Sequence, residues 1–197
     1  MNSMPTIAAG TLGGAPTGTW RIDPAHSSVS FSVRHLMSKV RGRFRDVEGR
    51  IGIRPDLTDC SVSASIAVTS VDTGIPQRDD DLRSDRFFSA GEHPKMTFES
   101  TAVDAGTDGT GTVVGDLTIR GITPQVRLEA EFLGLDATGL QGEPRIGFAA
   151  RTTIRRSDFH VGERSAEGSK VVVGDTVAVE LDVEAHLEKA DPEGATS

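Results

Sequence analysis

The chain has 197 residues, and its 29 acidic side chains outnumber its 21 basic ones, giving a formal net charge of −8. This length suits one large all-β domain, with two small domains as the alternative. The acidic balance argues against nucleic acid or an anionic bilayer surface as a partner held by a broad positive field. The single cysteine, Cys60, excludes an internal disulfide framework and a cysteine-rich metal cluster.

The two ends of the chain differ from its middle. Residues 1–17 are rich in Gly, Ala, Thr and Pro and are predicted to be disordered, as is a flexible tail over residues 190–197. The first residues resemble neither a secretory signal nor a transit peptide, and no window approaches the roughly 18 apolar residues of a membrane span. We therefore expect a domain over residues 18–189, not integral to a membrane, and a cytoplasmic location.

The first half of this domain alternates between apolar and polar residues. In the stretch SSVSFSVRH, Val29, Phe31 and Val33 fall on one face and His35 continues their row, while serines and Arg34 fall on the other. Such a period of two predicts strands with one dry face. The same rows continue through Val40, Gly42 and Phe44, through Val62, Ala64, Ile66 and Val68, and through Met96 and Phe98.

The segment over residues 76–94 breaks the alternation. It opens with Pro76, carries acidic residues at its start and ends near Gly91 and Pro94, a pattern that predicts a short helix covering one end of the sheet. Its DDDLRSD motif superficially resembles the aspartate-rich motif of prenyl diphosphate synthases, but a second motif and a large helical bundle are missing. We interpret the acids as a solvated helix start favoured by the helix dipole.

The second half of the domain alternates more regularly. The run GTVVGDLTIRGITPQVRLEAEF predicts a hairpin with its turn near Gly121, and two further amphipathic strands follow. The apolar rows are Val113, Leu117 and Ile119; Val126, Leu128, Ala130 and Phe132; Ile146, Phe148, Ala150 and Ile154; and Val177, Val179, Leu181, Val183, Ala185 and Leu187.

About eight one-sided antiparallel strands need a cover for their dry face, and one short helix cannot supply it. Closure into a barrel covers the face and removes exposed edges. An eight-stranded barrel is either filled by side chains or holds one small ligand. Aromatic residues make up only 5% of the chain, which favours an elongated apolar lumen; a sandwich with a filled core is the alternative.

Four blocks of sequence together resemble the YceI-like family of polyisoprenoid-binding proteins: WRIDPAHSSVSFSVRHLMSKVRGRF, LRSDRFFSAGEHPKMTFES, GDLTIRGITPQVRLEAEF, and RSDFHVG followed by VGDTVAVELDVEAHLEK. The resemblance covers about residues 18–188. It implies an all-β, extended eight-stranded antiparallel lipocalin-like barrel whose internal pocket holds an isoprenoid chain, such as a polyprenyl or quinone tail, or another long acyl chain. It also suggests a homodimer.

The predicted ligand-binding residues are those in phase with the apolar faces, with plain core packing as the alternative for each. Phe88 is a candidate lid residue, or else a helix-to-sheet anchor. His35 and Arg41 are candidates for contact with a polar head group, or else a satisfied buried histidine and an exposed strand arginine. The complete set is Phe31, Val33, His35, Arg41, Phe44, Phe88, Met96, Phe98, Leu117, Ile119, Phe148 and Ile154.

Chemistry-bearing residues give weaker signals. The five histidines never fall at i,i+2 or i,i+4 spacing, so no metal site is predicted. No cofactor is predicted either. Asp23 and His26 are expected to make turn hydrogen bonds. The leading hypothesis is a lipid carrier or sequestering protein; the alternatives are an enzyme using His35 or His160 as acid or base, and a ligand-free structural or stress-associated module with a filled barrel.

Overall fold

The computed structural model describes residues 12–106, 108–139, 142–162 and 173–188. The predicted flexible tail lies outside these residues, as does the greater part of the N-terminal segment. The described chain forms eleven strands and one α-helix. In order they are β1 (Gly18–Ile22), β2 (Ser28–His35), β3 (Ser38–Phe44), β4 (Val47–Ile53), β5 (Ser61–Ala67), β6 (Val71–Asp72), α1 (Pro76–Arg83), β7 (Lys95–Ala105), β8 (Thr110–Thr118), β9 (Gln125–Asp136), β10 (Arg145–Arg155) and β11 (Val173–Leu187).

The sheet closes on itself as an eight-stranded antiparallel barrel, so the predicted fold is confirmed. Strand β11 pairs with both β1 and β2, β1 pairs with β4, and β2 pairs with β3. β1 and β2 are therefore successive halves of one long strand, and β3 and β4 are halves of the next. From β4 the ring continues through β5, β7, β8, β9 and β10 to β11, and the short β6, which follows β5, pairs with the end of β3.

The bend between β1 and β2 follows from its sequence, Asp23-Pro-Ala-His26. Pro24 cannot donate a ladder hydrogen bond, and Asp23 Oδ1 instead accepts the Ala25 amide at 2.9 Å. Asp23 Oδ2 contacts His26 Nδ1 at 2.9 Å. Asp23 and His26 thus make the turn hydrogen bonds that the sequence predicts, and the two halves of the strand change direction there.

Helix α1 is shorter than predicted. It spans Pro76–Arg83 and not residues 76–94, because Ser84 is extended and its amide closes the last turn onto the carbonyls of Asp80 and Asp81. The residues that follow form turns. The helix start is also not fully solvated: Asp79 is buried and accepts hydrogen bonds from the amide and hydroxyl of Thr73.

The barrel interior holds two separate apolar clusters. The end cluster surrounds the fully buried Trp20, and the helix-side cluster lies beneath α1 and the turns that follow it. The buried members of the end cluster are Ala15, Trp20, Ile22, Ile51, Ile53, Phe132, Ile146 and Ala185. The buried members of the helix-side cluster are Val29, Phe44, Val47, Val68, Val71, Met96, Ile119, Phe159 and Val161.

Residues 12–17, which the sequence places in a disordered segment, follow a defined path over the end cluster. Ala15 is buried and Leu12 packs against the cluster. The indole Nε1 of Trp20 donates to the carbonyl oxygen of Pro16 at 3.1 Å. The folded part of the chain therefore begins before Gly18, where Trp20 and Phe132 offer an apolar surface to the segment.

Candidate functional site

A cavity runs through the barrel between the two clusters. Its volume open to the centres of water-sized molecules is about 210 Å³. Since a cavity needs only about 10–15 Å³ by the same measure to hold one water molecule, this cavity is far larger than a site for a single bound water. The barrel is therefore neither completely filled nor wide enough to be an aqueous channel.

The cavity wall is almost entirely apolar and is built mainly from medium and small side chains. Strands β5, β8, β9 and β11 contribute rows of valine, alanine, isoleucine and leucine that face inwards at every second position. These rows include Val62, Ala64 and Ile66; Val113 and Leu117; Val126, Leu128, Ala130 and Phe132; and Val179, Leu181 and Val183. Such a wall offers dispersion contacts and few directional ones.

One end of the cavity is bordered by the ends of strands β7 and β8 and by loops. The β7–β8 hairpin lines it over residues 103–106 and 109–113, and Leu57 and Cys60 line it from the β4–β5 connection. Leu12 from the N-terminal segment also borders the cavity here. Asp104 is the one charged residue among the described residues of the wall, and its side chain is exposed. The described part of the cavity wall therefore offers a bound molecule no buried charged side chain.

Three of the predicted ligand-binding residues line the cavity: Phe98, Leu117 and Phe148. Phe98 is buried on β7, directly opposite Leu117 on β8. Phe148 on β10 lies 5.3 Å from Phe132, measured between ring centroids, in an edge-to-face arrangement. These residues come from three different strands, and barrel closure brings them to one surface.

The other predicted residues lie elsewhere, and their contact with a ligand stays a prediction. Phe44, Met96 and Ile119 belong to the helix-side cluster, and Phe31, Phe88 and Ile154 pack against it. Val33 and His35 are half-buried on β2, and Arg41 is exposed on β3. None of these nine is among the residues that line the cavity.

Phe88 contacts the helix-side cluster through Phe44. The two ring centroids are 5.7 Å apart with the planes nearly perpendicular, and Phe44 in turn lies 5.6 Å from Phe31. The amide of Phe88 donates to the carbonyl oxygen of Leu82 in α1. This packing is that of an anchor between the helix region and the sheet; action as a lid stays a prediction.

The predicted ligand-binding residues omit most of the cavity wall, although the period-two apolar rows already contain many of its residues. Ala64, Val113, Ala130 and Ala150 all belong to the predicted apolar rows. Most of the predicted candidates have bulky side chains, whereas a cavity persists where the side chains are small. Leu12 carried no signal, since its segment has no strand pattern.

A polar network lies at the bend beside the cavity. Nη1 of Arg145 lies 2.8 Å from Asp23 Oδ2 and also donates to Glu184. Burial raises the pKa of Asp23, but hydrogen bonds from His26 and Arg145 outweigh this effect and lower the pKa to about 2. The hydrogen bond to Glu184, followed by that to Asp23, raises the pKa of Arg145.

This network does not have the composition of a metal site. Ligand atoms of Asp23, His26 and Glu184 lie within 4.8 Å of one another. However, the guanidinium of Arg145 already contacts both carboxylates. A fixed cation neutralises the charge that would attract a metal ion. The arrangement is that of a structural ion-pair network joining β1, β10 and β11.

Relatives with known sequences match most of this chain. A family model described as the YceI-like domain matches residues 20–185. A UPF0312 protein of Staphylococcus epidermidis is 33% identical over 168 residues, which cover 84% of this chain and 95% of the relative. A UPF0312 protein of Vibrio parahaemolyticus is 36% identical over 152 residues, covering 75% of this chain and 80% of the relative.

Solved structures show the same fold. The YceI protein of Campylobacter jejuni matches with a TM-score of 0.68 and 31% identity, covering 79% of this chain and 90% of its own. A polyisoprenoid-binding domain from Saccharophagus degradans matches with a TM-score of 0.69 and 20% identity, and the match covers 88% of this chain and 100% of that domain. At that identity the likeness concerns the fold alone. By its sequence and its barrel, the chain belongs to the YceI-like family.

Proposed function

We propose that this protein binds the tail of a long-chain isoprenoid, such as a polyprenyl or isoprenoid-quinone chain, or a similar lipid, within its barrel. The observation that carries the proposal is the apolar cavity of about 210 Å³ between the two packed clusters. A filled barrel, as expected of a ligand-free structural module, would have no such space. The related fold described as polyisoprenoid-binding in Saccharophagus degradans supports the same class of ligand.

The chemistry of the wall determines how such a tail would be recognised. Each buried methylene contributes about 0.8 kcal/mol before the cost of association is deducted. These contacts are non-directional, so the wall selects by length and width and not by functional group. We therefore expect straight acyl chains to bind as well as prenyl chains of matched length.

The head group would remain near the loop-bordered end of the cavity. There the wall changes from strand side chains to the backbone-rich β7–β8 hairpin around Gly106, Gly109 and Gly111. His35 and Arg41 lie on the β2–β3 hairpin, outside the described cavity wall, so the proposal gives them no contact with the tail. Their role in binding a head group stays a prediction.

The cellular role follows from sequestration. A tail enclosed by the barrel is removed from water, as transport or storage of a lipid requires. Among the described residues, no helix is long and apolar enough to cross a bilayer. The cytoplasmic location and the homodimer suggested by the sequence stay predictions.

A titration with ligands of graded length tests the proposal. Prenyl alcohols and straight-chain alcohols of increasing length would be titrated into the protein by isothermal calorimetry in a low concentration of detergent. We expect affinity to rise with length and to level off once the chain fills the cavity, because further methylenes stay in water. Affinity that is absent, or independent of length, would contradict tail binding. A preference above about 2 kcal/mol for one chain type at matched length would contradict recognition by shape alone.

A further inference from the structure

The β2–β3 hairpin exposes two large apolar side chains at its tip. His35 pairs with Ser38, so the loop consists of Leu36 and Met37 alone. Leu36 is 69% exposed and Met37 is 97% exposed. Beyond the pairing of Arg43 and Phe44 with β6, the outer edge of β3 has no strand partner among the described residues.

The backbone of this loop is in a conformation that is unfavourable for one of the two residues. Leu36 has φ of +52°, in the left-handed region. Two-residue hairpin loops favour Asn, Asp or Gly at such positions, because other side chains are strained there. A leucine in this place is neither packed nor conformationally favoured, which indicates a role outside the folded monomer.

One face of the same hairpin is strongly basic, although the whole chain is acidic. Arg34 on β2 lies directly opposite Lys39 on β3, and Arg41 lies one pleat further along the same face. In the described part of the chain no acidic side chain pairs with these three. Arg43 and Arg45, by contrast, both contact Asp72. Like charges placed opposite each other in a sheet are destabilising, so an external anionic partner would relieve them.

We propose that the hairpin tip docks on the surface of an anionic lipid bilayer. Leu36 and Met37 enter the interface between head groups and acyl chains, and Arg34, Lys39 and Arg41 contact the lipid phosphates and carboxylates. The net charge of −8, which argues against such a surface, averages over the whole chain and conceals this local concentration of positive charge.

Two features of the hairpin favour a bilayer over other occupants. A second copy of the chain would bring two basic faces together, and their repulsion opposes a symmetric contact. A nucleic acid would neutralise the positive charge, but the tip offers saturated side chains instead of the aromatic rings on which bases stack.

Basic residues on an edge strand also protect it from aggregation, yet that purpose does not require an exposed Leu36 and Met37. The inference is independent of what the cavity holds.

Flotation of the full-length protein with lipid vesicles tests the proposal. Vesicles of phosphatidylcholine alone would be compared with vesicles containing 30% phosphatidylserine, at low and at high salt. Each basic residue near an anionic surface contributes roughly fivefold in affinity, so neutralising three is expected to weaken binding about 100-fold. The variant carries Arg34→Gln, Lys39→Gln and Arg41→Gln. A second variant carries Leu36→Ser and Met37→Ser, and is expected to weaken binding even at low salt.

A matched control loses the same charge elsewhere. Three exposed basic residues on other strands, which make no ion pair among the described residues, are replaced by Gln: Arg21, Lys95 and Arg127. Binding of this control at the wild-type level, together with loss in both hairpin variants, supports the proposal. Equal weakening in the control, or wild-type binding no stronger to anionic than to neutral vesicles, overturns it. Loss of a dimer in the Leu36→Ser, Met37→Ser variant without vesicle binding by the wild type would also overturn it.

Discussion

The helix-side cluster and the cavity occupy the same barrel and arise from the same period-two pattern, yet one is filled and the other hollow. Around Phe44 and Phe31 the rows carry aromatic rings, and Gly42 leaves room for the ring of Phe31. Around Ala64, Ala130 and Ala150 the rows carry small side chains that do not meet across the barrel. Alternation therefore determines which side of a strand faces inwards, while side-chain volume determines whether the interior closes.

The covering of the two regions also differs. The turns after α1 place Phe88 against Phe44, and Arg83 donates to the carbonyl oxygens of Thr69 and Val71, so this region is tied to the sheet by side chains and backbone. The cavity is bordered at its open end by the β7–β8 hairpin and by Leu12. One region supplies stability and the other retains space for a ligand, and the following predictions test this division.

Truncation in the helix-side cluster should have the largest effect on stability. Replacing Phe44 by Ala removes a buried ring and leaves a void, at an expected cost of about 3–5 kcal/mol in the free energy of unfolding. For a comparison at equal size, Val113→Ala in the cavity wall should cost about 1 kcal/mol or less, since its side chain already borders empty space, whereas Val68→Ala in the helix-side cluster should cost about 2 kcal/mol. Urea denaturation monitored by the fluorescence of Trp20 measures all three variants. Equal costs for the two valine truncations would contradict the division.

Addition of bulk should have opposite consequences in the two regions. Ala130→Leu combined with Ala150→Leu places side chains into the cavity, and should weaken binding of a long-chain alcohol at least tenfold while changing stability by only about 1 kcal/mol. Gly42→Ala would place a Cβ 2.4 Å from the ring of Phe31. That overpacking should cost about 1–3 kcal/mol without a direct effect on binding. Calorimetric titration and urea denaturation separate the two results.

The network at the bend should make stability depend on pH in the acidic range. The pKa of Asp23 is lowered to about 2 in the folded protein, below an unfolded value of about 3.9. Its contribution is therefore complete above pH 4 and is lost as the pH falls from about 4 to 2; it amounts to at most about 2 kcal/mol. Asp23→Asn should remove that part of the pH dependence. An unchanged profile between pH 4 and 2 would show that Asp23 is not coupled to folding.

The smallest effect is expected at the loop-bordered end. Leu12→Ala removes apolar contact between the N-terminal segment and the end cluster, which should increase the rate at which a long-chain ligand enters and leaves while changing its equilibrium affinity little. Stopped-flow binding of a fluorescent fatty acid measures the rates. Ala9→Gly, a change outside the described residues, serves as a control. Unchanged rates in Leu12→Ala would show that the segment does not restrict access.

The sequence predicts the barrel better than it predicts the site. The rows of Val29, Phe31 and Val33 and of Val177 to Val183 identify strands without reference to their neighbours, because the signal is local. Whether a side chain borders the cavity or a cluster depends on its height along the barrel axis. Bends, register shifts and strand lengths set that height, for example where β2 and β1 share β11. This is why Phe98 and Leu117 line the cavity while Met96 and Ile119, two residues away on the same rows, belong to the helix-side cluster.

Native mass spectrometry of protein purified gently from its own host tests the central claim most directly, with the Ala130→Leu, Ala150→Leu variant purified in parallel. Wild-type protein is predicted to carry one lipid per chain, identified by fragmentation as a prenyl or long acyl species, and the variant to carry little or none. Wild-type protein without bound lipid, or equal loading of the two proteins, would contradict the conclusion that the barrel cavity is a lipid-binding site.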